Sequence, residues 1–280
     1  MTFMNMNNNK TFSVGVIIST YNNPQWLEKT LWGYLAQTVK PDEIIIADDG
    51  STDKTKALLL KYQDRLPIKH VWHEDNGFRK TEILNKAVLA STADYLIFTD
   101  QDLIPRADFV ETHCQFAEQG YFLSGGAVML PAGISQQLTQ EDIISQAAFS
   151  IDWLCKNGVK RSWKLMKLCK NKTITQLLNR LTTAKASWNG GNASTWRNFI
   201  LKANGFDQRM KYGAEDREFG ERLFNAGIRS KQLRYSLPLL HLYHTRPYRN
   251  KEDWDANQVI RRQTKENKST TTPFGINQKP

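Results

Sequence analysis

The chain has 280 residues, 40% hydrophobic and 11% aromatic, a composition that allows a large packed core and excludes a disordered protein. Three cysteines (Cys114, Cys155, Cys169) are odd in number and lack a CxxC spacing, which disfavours a disulfide framework or a zinc site and fits a reducing cytoplasm. The net charge is +10, and nearly all of the excess lies between Trp153 and Lys185, where nine Lys or Arg occur without an Asp or Glu; such a field suits phosphorylated substrates, nucleic acid or anionic lipid alike.

Residues 1–13 are polar and Asn-rich without an apolar centre, so they read as a disordered N-terminus rather than a secretory signal. No apolar run approaches the ~20 residues of a membrane span. Val14–Thr20 is a short run rich in β-branched residues and predicts a buried strand. Pro24 can open a helix whose apolar stripe includes Leu27, Leu31, Tyr34 and Leu35. Glu43–Asp48 reads as the next strand, with Ser51 or Asp53 capping a helix to about Tyr62. Lys69–Glu74 is a third strand, Asn76-Gly77 a turn, Lys80–Ala90 a third helix and Tyr95–Asp100 a fourth strand. This β-α-β-α-β-α-β rhythm predicts an α/β fold with a mostly parallel, twisted sheet flanked by helices and right-handed crossovers.

The second half is less regular. Gly120–Leu130 reads as a strand with a bulge at Gly125-Gly126. A basic helical insertion spans about 134–185. Within it Trp163, Met166 and Cys169 recur at three-residue spacing among lysines, the pattern of a cationic helix at a membrane interface or of an ordinary surface helix. Ser194–Ala203 and Glu215–Ala226 read as helices, the latter stopped by Gly227, and Arg229–Ser236 as a strand. Residues 251–280 read as a polar tail, disordered from Asn267.

Carboxylates gather at strand ends. Asp48-Asp49-Gly50-Ser51 follows one apolar run and Asp100-Gln101-Asp102 another, where open α/β sheets bind ligands. Hard oxygen ligands there suit Mg²⁺ or Mn²⁺, which can bridge to diphosphate oxygens. In an extended segment Asp100 and Asp102 share one face. Glu215-Asp216 opens a helix after the small residues Gly213-Ala214, and His241 and His244 lie three apart. Trp188-Asn189-Gly190-Gly191-Asn192 pairs a flat ring with glycines that permit close backbone approach. A turn, a helix cap or a structural histidine would account for each feature taken singly.

In order along the chain, Ile17-Ile18-Ser19-Thr20-Tyr21-Asn22, Asp48–Asp53, Asp100-Gln101-Asp102 and Glu215-Asp216 resemble inverting family 2 glycosyltransferases of the GT-A (Rossmann-like) fold, over about residues 14–250. The resemblance implies a nucleotide-sugar-binding half (14–110) and an acceptor and catalytic half (111–250). Trp188–Asn192 and Tyr212–Glu218 also resemble the C-terminal region of galactosyltransferases and N-acetylgalactosaminyltransferases, whose Trp-Gly-Gly-Glu-Asp pattern has Tyr212 and Ala214 substituted here. By this resemblance Thr20, Tyr21, Asp48, Asp49, Asn76, Arg79, Lys80 and Asp100 would hold the donor, a UDP-hexose. Asp102, His244 and His241 would bind Mn²⁺ or Mg²⁺. Asp216 would be the catalytic base, with Trp188, Gly190, Gly191, Asn192 and Glu215 facing the acceptor, a saccharide or lipid-linked saccharide. Inverting transfer is a single displacement that needs one base and a stabilised diphosphate leaving group. A nucleotidyltransferase would carry a Gly- and Lys/Arg-rich loop after the first strand, which Ser19-Thr20-Tyr21-Asn22 lacks. A nucleic-acid-binding module would need aromatic platforms among the basic residues, and Trp153 and Trp163 alone argue weakly for one.

Overall fold

Short β-branched runs become parallel strands when helices can cover both faces, and the first half of the chain is built that way. The computed structural model describes residues 11–245 and 250–277. Strands β1 (Val14–Thr20), β2 (Glu43–Asp48), β3 (Ile68–Trp72) and β4 (Tyr95–Asp100) lie parallel in the order β3-β2-β1-β4. Thr20 pairs with Asp48 and Ser19 with Asp100, so the carboxyl ends of β1, β2 and β4 finish side by side. The connecting helices are α1 (Pro24–Leu35), α2 (Asp53–Leu60) and α3 (Lys80–Ala90). Asn23 caps α1, its side chain accepting from the Trp26 N–H, and Pro24 sits in the first turn.

The chain continues through β5 (Leu103–Pro105), α4 (Phe109–Phe116), β6 (Tyr121–Ser124), β7 (Gly126–Met129), α5 (Ala132–Gln137), α6 (Gln140–Ile144), α7 (Ile151–Lys156) and α8 (Lys172–Leu181). It closes with β8 (Asn192–Trp196), α9 (Arg197–Lys202), α10 (Glu215–Asn225), β9 (Arg229–Gln232), β10 (Pro238–His241) and α11 (Lys251–Glu266). β8, β6 and β9 extend the first four strands to a seven-stranded sheet, β3-β2-β1-β4-β8-β6-β9, with β8 antiparallel to both neighbours. β5, β10 and β7 form a separate three-stranded sheet.

Alternation along the central strands divides the core. Val14, Val16, Ile18, Ile44 and Ile46 pack with residues of α1, α2 and α4 on one face. Ile17, Ile45, Leu96 and Phe98 pack with α3, α9 and α10 on the other. A third cluster fills the space under the small sheet, using Leu165 and Leu168 from the basic segment. Among the described residues no helix is long and apolar enough to cross a membrane.

Five expectations change. The 120–130 strand divides into β6 and β7 in different sheets, parting at Gly125, where an added Cβ would lie 2.3 Å from the Asn192 side chain. The segment 194–203 begins as strand β8 rather than helix, because hydrogen bonds satisfy its buried hydroxyls: Ser194 Oγ meets Tyr95 Oη at 2.7 Å and His113 Nδ1 at 2.7 Å. Most of the insertion is short pieces, and Trp163–Leu168 is a 3₁₀ helix that buries Leu165 and Leu168 while Trp163 is exposed. Residues 1–10 of the expected disordered N-terminus lie outside the described residues, whereas Ser13 is tied to Asp94 through its N–H (2.8 Å) and hydroxyl (2.7 Å).

The fifth change is the largest. The expected polar tail forms α11 and then docks, with Thr272 Oγ1 donating to Asp207 Oδ2 at 2.7 Å; residues 278–280 of it lie outside the described residues. Polar contacts hold α11 against α10. Arg261 Nη2 reaches Glu221 at 2.5 Å, and Thr264 Oγ1 donates to Glu218 Oε1 at 2.8 Å. Glu218 is itself paired with fully buried Arg222, whose Nε lies 2.8 Å from Oε1 and whose Nη1 donates to the Ala203 carbonyl at 2.6 Å. Removing one partner of a buried pair strands the other charge. Glu218→Ala should therefore cost about 3–5 kcal/mol and Thr264→Ala about 1 kcal/mol in urea unfolding. Equal, small losses would show that the network contributes little.

Candidate active site

Because β1 sits between β2 and β4 with helices leaving on either side, a crevice opens at their carboxyl ends. It is a cavity of about 590 Å³ that includes Thr20, Tyr21, Asp49, Lys80, Asp100 and Asp102 in its lining. Gln101, the middle residue of the Asp-x-Asp run, clamps the loop after β1. Its Oε1 accepts from Thr20 Oγ1 at 2.5 Å and from the Tyr21 N–H at 3.2 Å. The Tyr21 hydroxyl donates to Asp75 Oδ2 at 2.9 Å, which fixes its half-exposed ring at the cavity wall. Asp49 is buried, with Oδ1 2.7 Å from His73 Nε2 and Oδ2 accepting from the Arg79 N–H at 3.0 Å.

Three expected donor-binding residues stand elsewhere. Asp48 is buried beneath the turn, where Oδ1 accepts from the Ser51 N–H at 2.8 Å and Oδ2 lies 2.8 Å from His70 Nε2, so it shapes the loop without lining the cavity. The Arg79 guanidinium turns away to the Glu74 carbonyl and to Glu82, 3.2 Å distant. Asn76 is exposed outside the lining, and Gly77 and Phe78 take its place. Among the described residues the Lys or Arg that faces the cavity is Lys80, whose Nζ donates to Asp100 Oδ1 at 2.6 Å. Asp100 also accepts from Ser19 Oγ. Burial pushes the Lys80 ammonium down, but the charges of Asp100, Glu215 and Asp216 outweigh it and hold Lys80 above the usual lysine value.

A second group meets at the small sheet. β10 runs antiparallel to β5 with His241 opposite Leu103, and the Leu242 N–H donates to the Asp102 carbonyl at 2.9 Å. This pairing brings residues 139 positions apart together: His241 Nε2 is 3.3 Å and His244 Nε2 3.0 Å from the same Asp102 Oδ2. Ligand atoms of Asp102, His241 and His244 lie within 4.8 Å of one another, as a shared metal ion requires. His244 Nδ1 lies 2.8 Å from the Thr245 carbonyl, the kind of outer partner that orients an imidazole ligand. Burial pushes the Asp102 carboxyl up, but the hydrogen bonds and charges of both histidines hold it well below the usual range. One carboxylate with two imidazoles suits Mn²⁺ better than Mg²⁺, which prefers all-oxygen shells.

On the far side of Lys80 and Asp100 lies a second cavity of about 660 Å³ that contains Glu215 and Asp216 in its lining; Lys80, Asp100 and Tyr212 are common to both cavities. Asp216 Oδ1 accepts from the Arg217 N–H at 2.7 Å and Oδ2 from the Gly190 N–H at 3.4 Å. Burial pushes its carboxyl up. Glu215 is raised to about 7, by burial first and then by the charge of Asp216, with Lys80 acting in the opposite sense. Burial thus acts on both adjacent carboxyls, and it carries Glu215 into the neutral range.

The glycine loop departs from the expected acceptor surface in two residues. Trp188 is fully buried, with ring centroids 4.8 Å from Phe219 and 5.4 Å from Phe98, and offers no face to a sugar. Asn192 is also buried, and its Nδ2 donates to the carbonyls of Gly126 (2.9 Å) and Leu237 (2.8 Å), tying two sheets together. Gly190 and Gly191 do line the cavity, and Gly191 has no room for a side chain, since a Cβ would lie 2.6 Å from Leu103 and 3.0 Å from Asp100 Oδ2. Among the described residues, Tyr212 and Trp254 of α11 bring accessible rings to this cavity, and Trp254 stands over Gly213. Asn257 of the same helix donates to the Gly213 carbonyl at 2.8 Å and the Lys211 carbonyl at 2.9 Å. Trp254 and Asn257 lie in the segment expected as a tail; the residues that α11 buries, Asn257 and Thr264, are polar, so no apolar stripe marks the helix in the sequence.

The family model for glycosyl transferase family 2 matches residues 15–159. A chondroitin synthase from Pasteurella multocida is 26% identical over 243 residues, 78% of this chain and 24% of that protein. A validoxylamine A glucosyltransferase from Streptomyces hygroscopicus is 36% identical over 101 residues, 35% of this chain and 22% of that protein. The chain therefore spans roughly a quarter of the length of these curated relatives. Among solved structures, residues 1–349 of S. aureus TarS in complex with UDP-GlcNAc superpose with a TM-score of 0.62 at 16% identity, over 91% of this chain and 69% of that one. A mannosyltransferase from Pyrobaculum calidifontis with GDP-Man and Mn²⁺ gives 0.58 at 20% identity, over 90% and 61%. These likenesses establish the GT-A fold.

Two stability measurements follow from the local geometry. Ala214 caps α10 at φ 68°, a left-handed conformation that costs an L-residue about 1–2 kcal/mol. Ala214→Gly should raise unfolding stability by about 1 kcal/mol, and a loss would mean that the methyl group packs usefully. For Glu215, a folded pKa of about 7 against 4.5 means that the native state holds the proton more tightly than the unfolded chain. Its contribution is full below about 4.5 and is lost as pH rises through about 7. Glu215→Gln should therefore lose less stability than wild type between those pH values, and parallel urea-unfolding curves would contradict the shift.

Proposed function

The chain belongs to glycosyl transferase family 2, and we propose that it is a metal-dependent, inverting hexosyltransferase that moves a sugar from a UDP-sugar to a saccharide or lipid-linked saccharide, at the cytoplasmic side of surface polysaccharide assembly. The observation that carries this reading is the shared wall of the two cavities. A diphosphate-sugar in the first would present its anomeric carbon beside Lys80 and Asp100, and an acceptor hydroxyl in the second would stand beside Asp216. Binding of UDP-GlcNAc by one structural neighbour and of GDP-Man with Mn²⁺ by another supports a nucleotide-sugar donor.

In this reading Thr20, Tyr21 and Asp49 receive the nucleoside, since they line the first cavity and are held by Gln101, Asp75 and His73. Asp102, His241 and His244 would hold the Mn²⁺, which as a Lewis acid supplies stabilisation of the departing diphosphate. Asp216 Oδ takes the proton from the attacking hydroxyl; its burial makes it a better base than a free aspartate. Glu215, raised to about 7 by burial and by the charge of Asp216, can in its neutral form donate a hydrogen bond to an acceptor oxygen. Lys80 keeps a positive charge beside the site where negative charge leaves. Trp254 offers an apolar ring face to an acceptor sugar.

A panel of UDP- and GDP-sugars, assayed with Mn²⁺ for transfer to simple saccharides and for slow hydrolysis, should show turnover with a UDP-sugar. Asp216→Asn should lower that rate about 10²–10⁴-fold while leaving donor binding intact. Turnover by Asp216→Asn at the wild-type rate would remove it as the base. The acidic limb of the rate profile should persist in Glu215→Gln, because in this reading the proton of the attacking hydroxyl goes to Asp216. Disappearance of that limb would exchange the roles of the two carboxyls.

A further inference from the structure

The helix α8 is turned inside out. Its inward side is polar: Thr175 is buried, and Asn179 donates through Nδ2 to Ser236 Oγ at 2.8 Å and accepts from the Tyr235 N–H at 2.9 Å. Its outward side is apolar, with Ile174, Leu177 and Leu181 exposed by 41%, 54% and 68%. At 100° per residue these three fall on one narrow stripe, and none of them joins the core clusters around the two sheets. An amphipathic helix in a globular protein normally does the reverse, so the stripe marks a surface that another apolar phase covers.

Charge selects that phase. The stripe lies within the segment from Trp153 to Lys185 that has nine basic residues and no acidic one. Lys170, Lys172 and Arg180, which flank the stripe along the chain, are exposed. A second copy of the chain docking face to face would bring these like charges together and be repelled. An anionic bilayer meets both requirements, because its acyl region takes the leucines while its headgroups take the lysines and arginines. The pattern expected from the sequence, Trp163-Met166-Cys169, is not the one that carries this surface. That segment is a 3₁₀ helix with Leu165 and Leu168 buried, although exposed Trp163 adds an aromatic side chain of the kind found at interfaces.

We propose that α8 is an interfacial helix that seats the protein on an anionic membrane surface through Ile174, Leu177 and Leu181. This inference rests on the surface alone and holds whether or not the sugar-transfer reading does; were both correct, a lipid-linked acceptor would arrive at the cavities from the same membrane.

The test is co-sedimentation of the full chain with vesicles of phosphatidylcholine alone and of phosphatidylcholine with phosphatidylglycerol, at low and high salt. The protein should pellet with the anionic vesicles, and high salt should weaken but not abolish that binding, since the apolar contribution is not screened. The triple substitution Ile174→Gln, Leu177→Gln and Leu181→Gln should reduce affinity about tenfold or more, with the circular dichroism spectrum and unfolding midpoint unchanged because all three residues are exposed. Failure of the wild type to bind anionic vesicles would overturn the proposal, as would equal binding by the triple variant. A wild-type dimer in lipid-free solution that the triple variant dissociates would also overturn it, by assigning the stripe to a second copy of the chain.

Discussion

Five carboxyl groups, those of Asp49, Asp100, Asp102, Glu215 and Asp216, line two adjoining cavities, and their mutual repulsion is the constraint that the site must meet. The fold meets it with separate partners. His73 and the Arg79 N–H serve Asp49, His241 and His244 serve Asp102, and Lys80 serves Asp100 while feeling the charges of Glu215 and Asp216. Lys80 begins α3, so its position is fixed by the same helix whose Ile83, Ala87 and Val88 pack on the sheet. Where the offset is incomplete a carboxyl is held toward its neutral form, as at Glu215, which burial and the charge of Asp216 raise to about 7.

Distant parts of the chain converge on this arrangement through backbone pairing more than through side-chain packing. The β5–β10 ladder brings His241 to Asp102, and the Asn192 amide links Gly126 to Leu237 behind the glycine loop. From the other side, α11 grips the Gly213 carbonyl with Asn257 and so holds the turn from which Glu215 and Asp216 emerge. Glu218, paired with Arg222 within α10, accepts from Thr264 of α11 and ties the two helices one turn beyond Glu215 and Asp216. Stability of the C-terminal segment and geometry of the Glu215–Asp216 pair are thus one problem.

The first four strands and their helices were legible because β1, β2 and β4 are short, largely apolar runs and the helix entries carry turn and cap residues such as Asn23 and Pro24. The acidic strand ends and Glu215-Asp216 were legible for the same reason, since their positions follow from the strand and helix boundaries. β8 was not, because Ser194 and Thr195 are polar side chains buried by hydrogen bonds that only the tertiary structure supplies. α11 was missed because it docks by ion pairs and amides, so its composition resembles that of a solvated tail. Trp188 was assigned to a sugar on chemical type alone, whereas its burial depends on Phe98, Phe122 and Phe219 arriving from three separate elements.

The central claim is that the histidines of β10 and the loop after it join Asp102 to make a nucleotide-binding site that depends on a transition metal. Calorimetric titration of UDP tests it most directly, run with Mn²⁺, with Mg²⁺ and with EDTA, on the wild type and on a double variant, His241→Ala with His244→Ala. The account predicts tight UDP binding with Mn²⁺, weaker binding with Mg²⁺, and loss of the Mn²⁺ enhancement in the double variant while its fold is retained. UDP binding of equal strength in EDTA, or a Mn²⁺ enhancement that survives both substitutions, would contradict it.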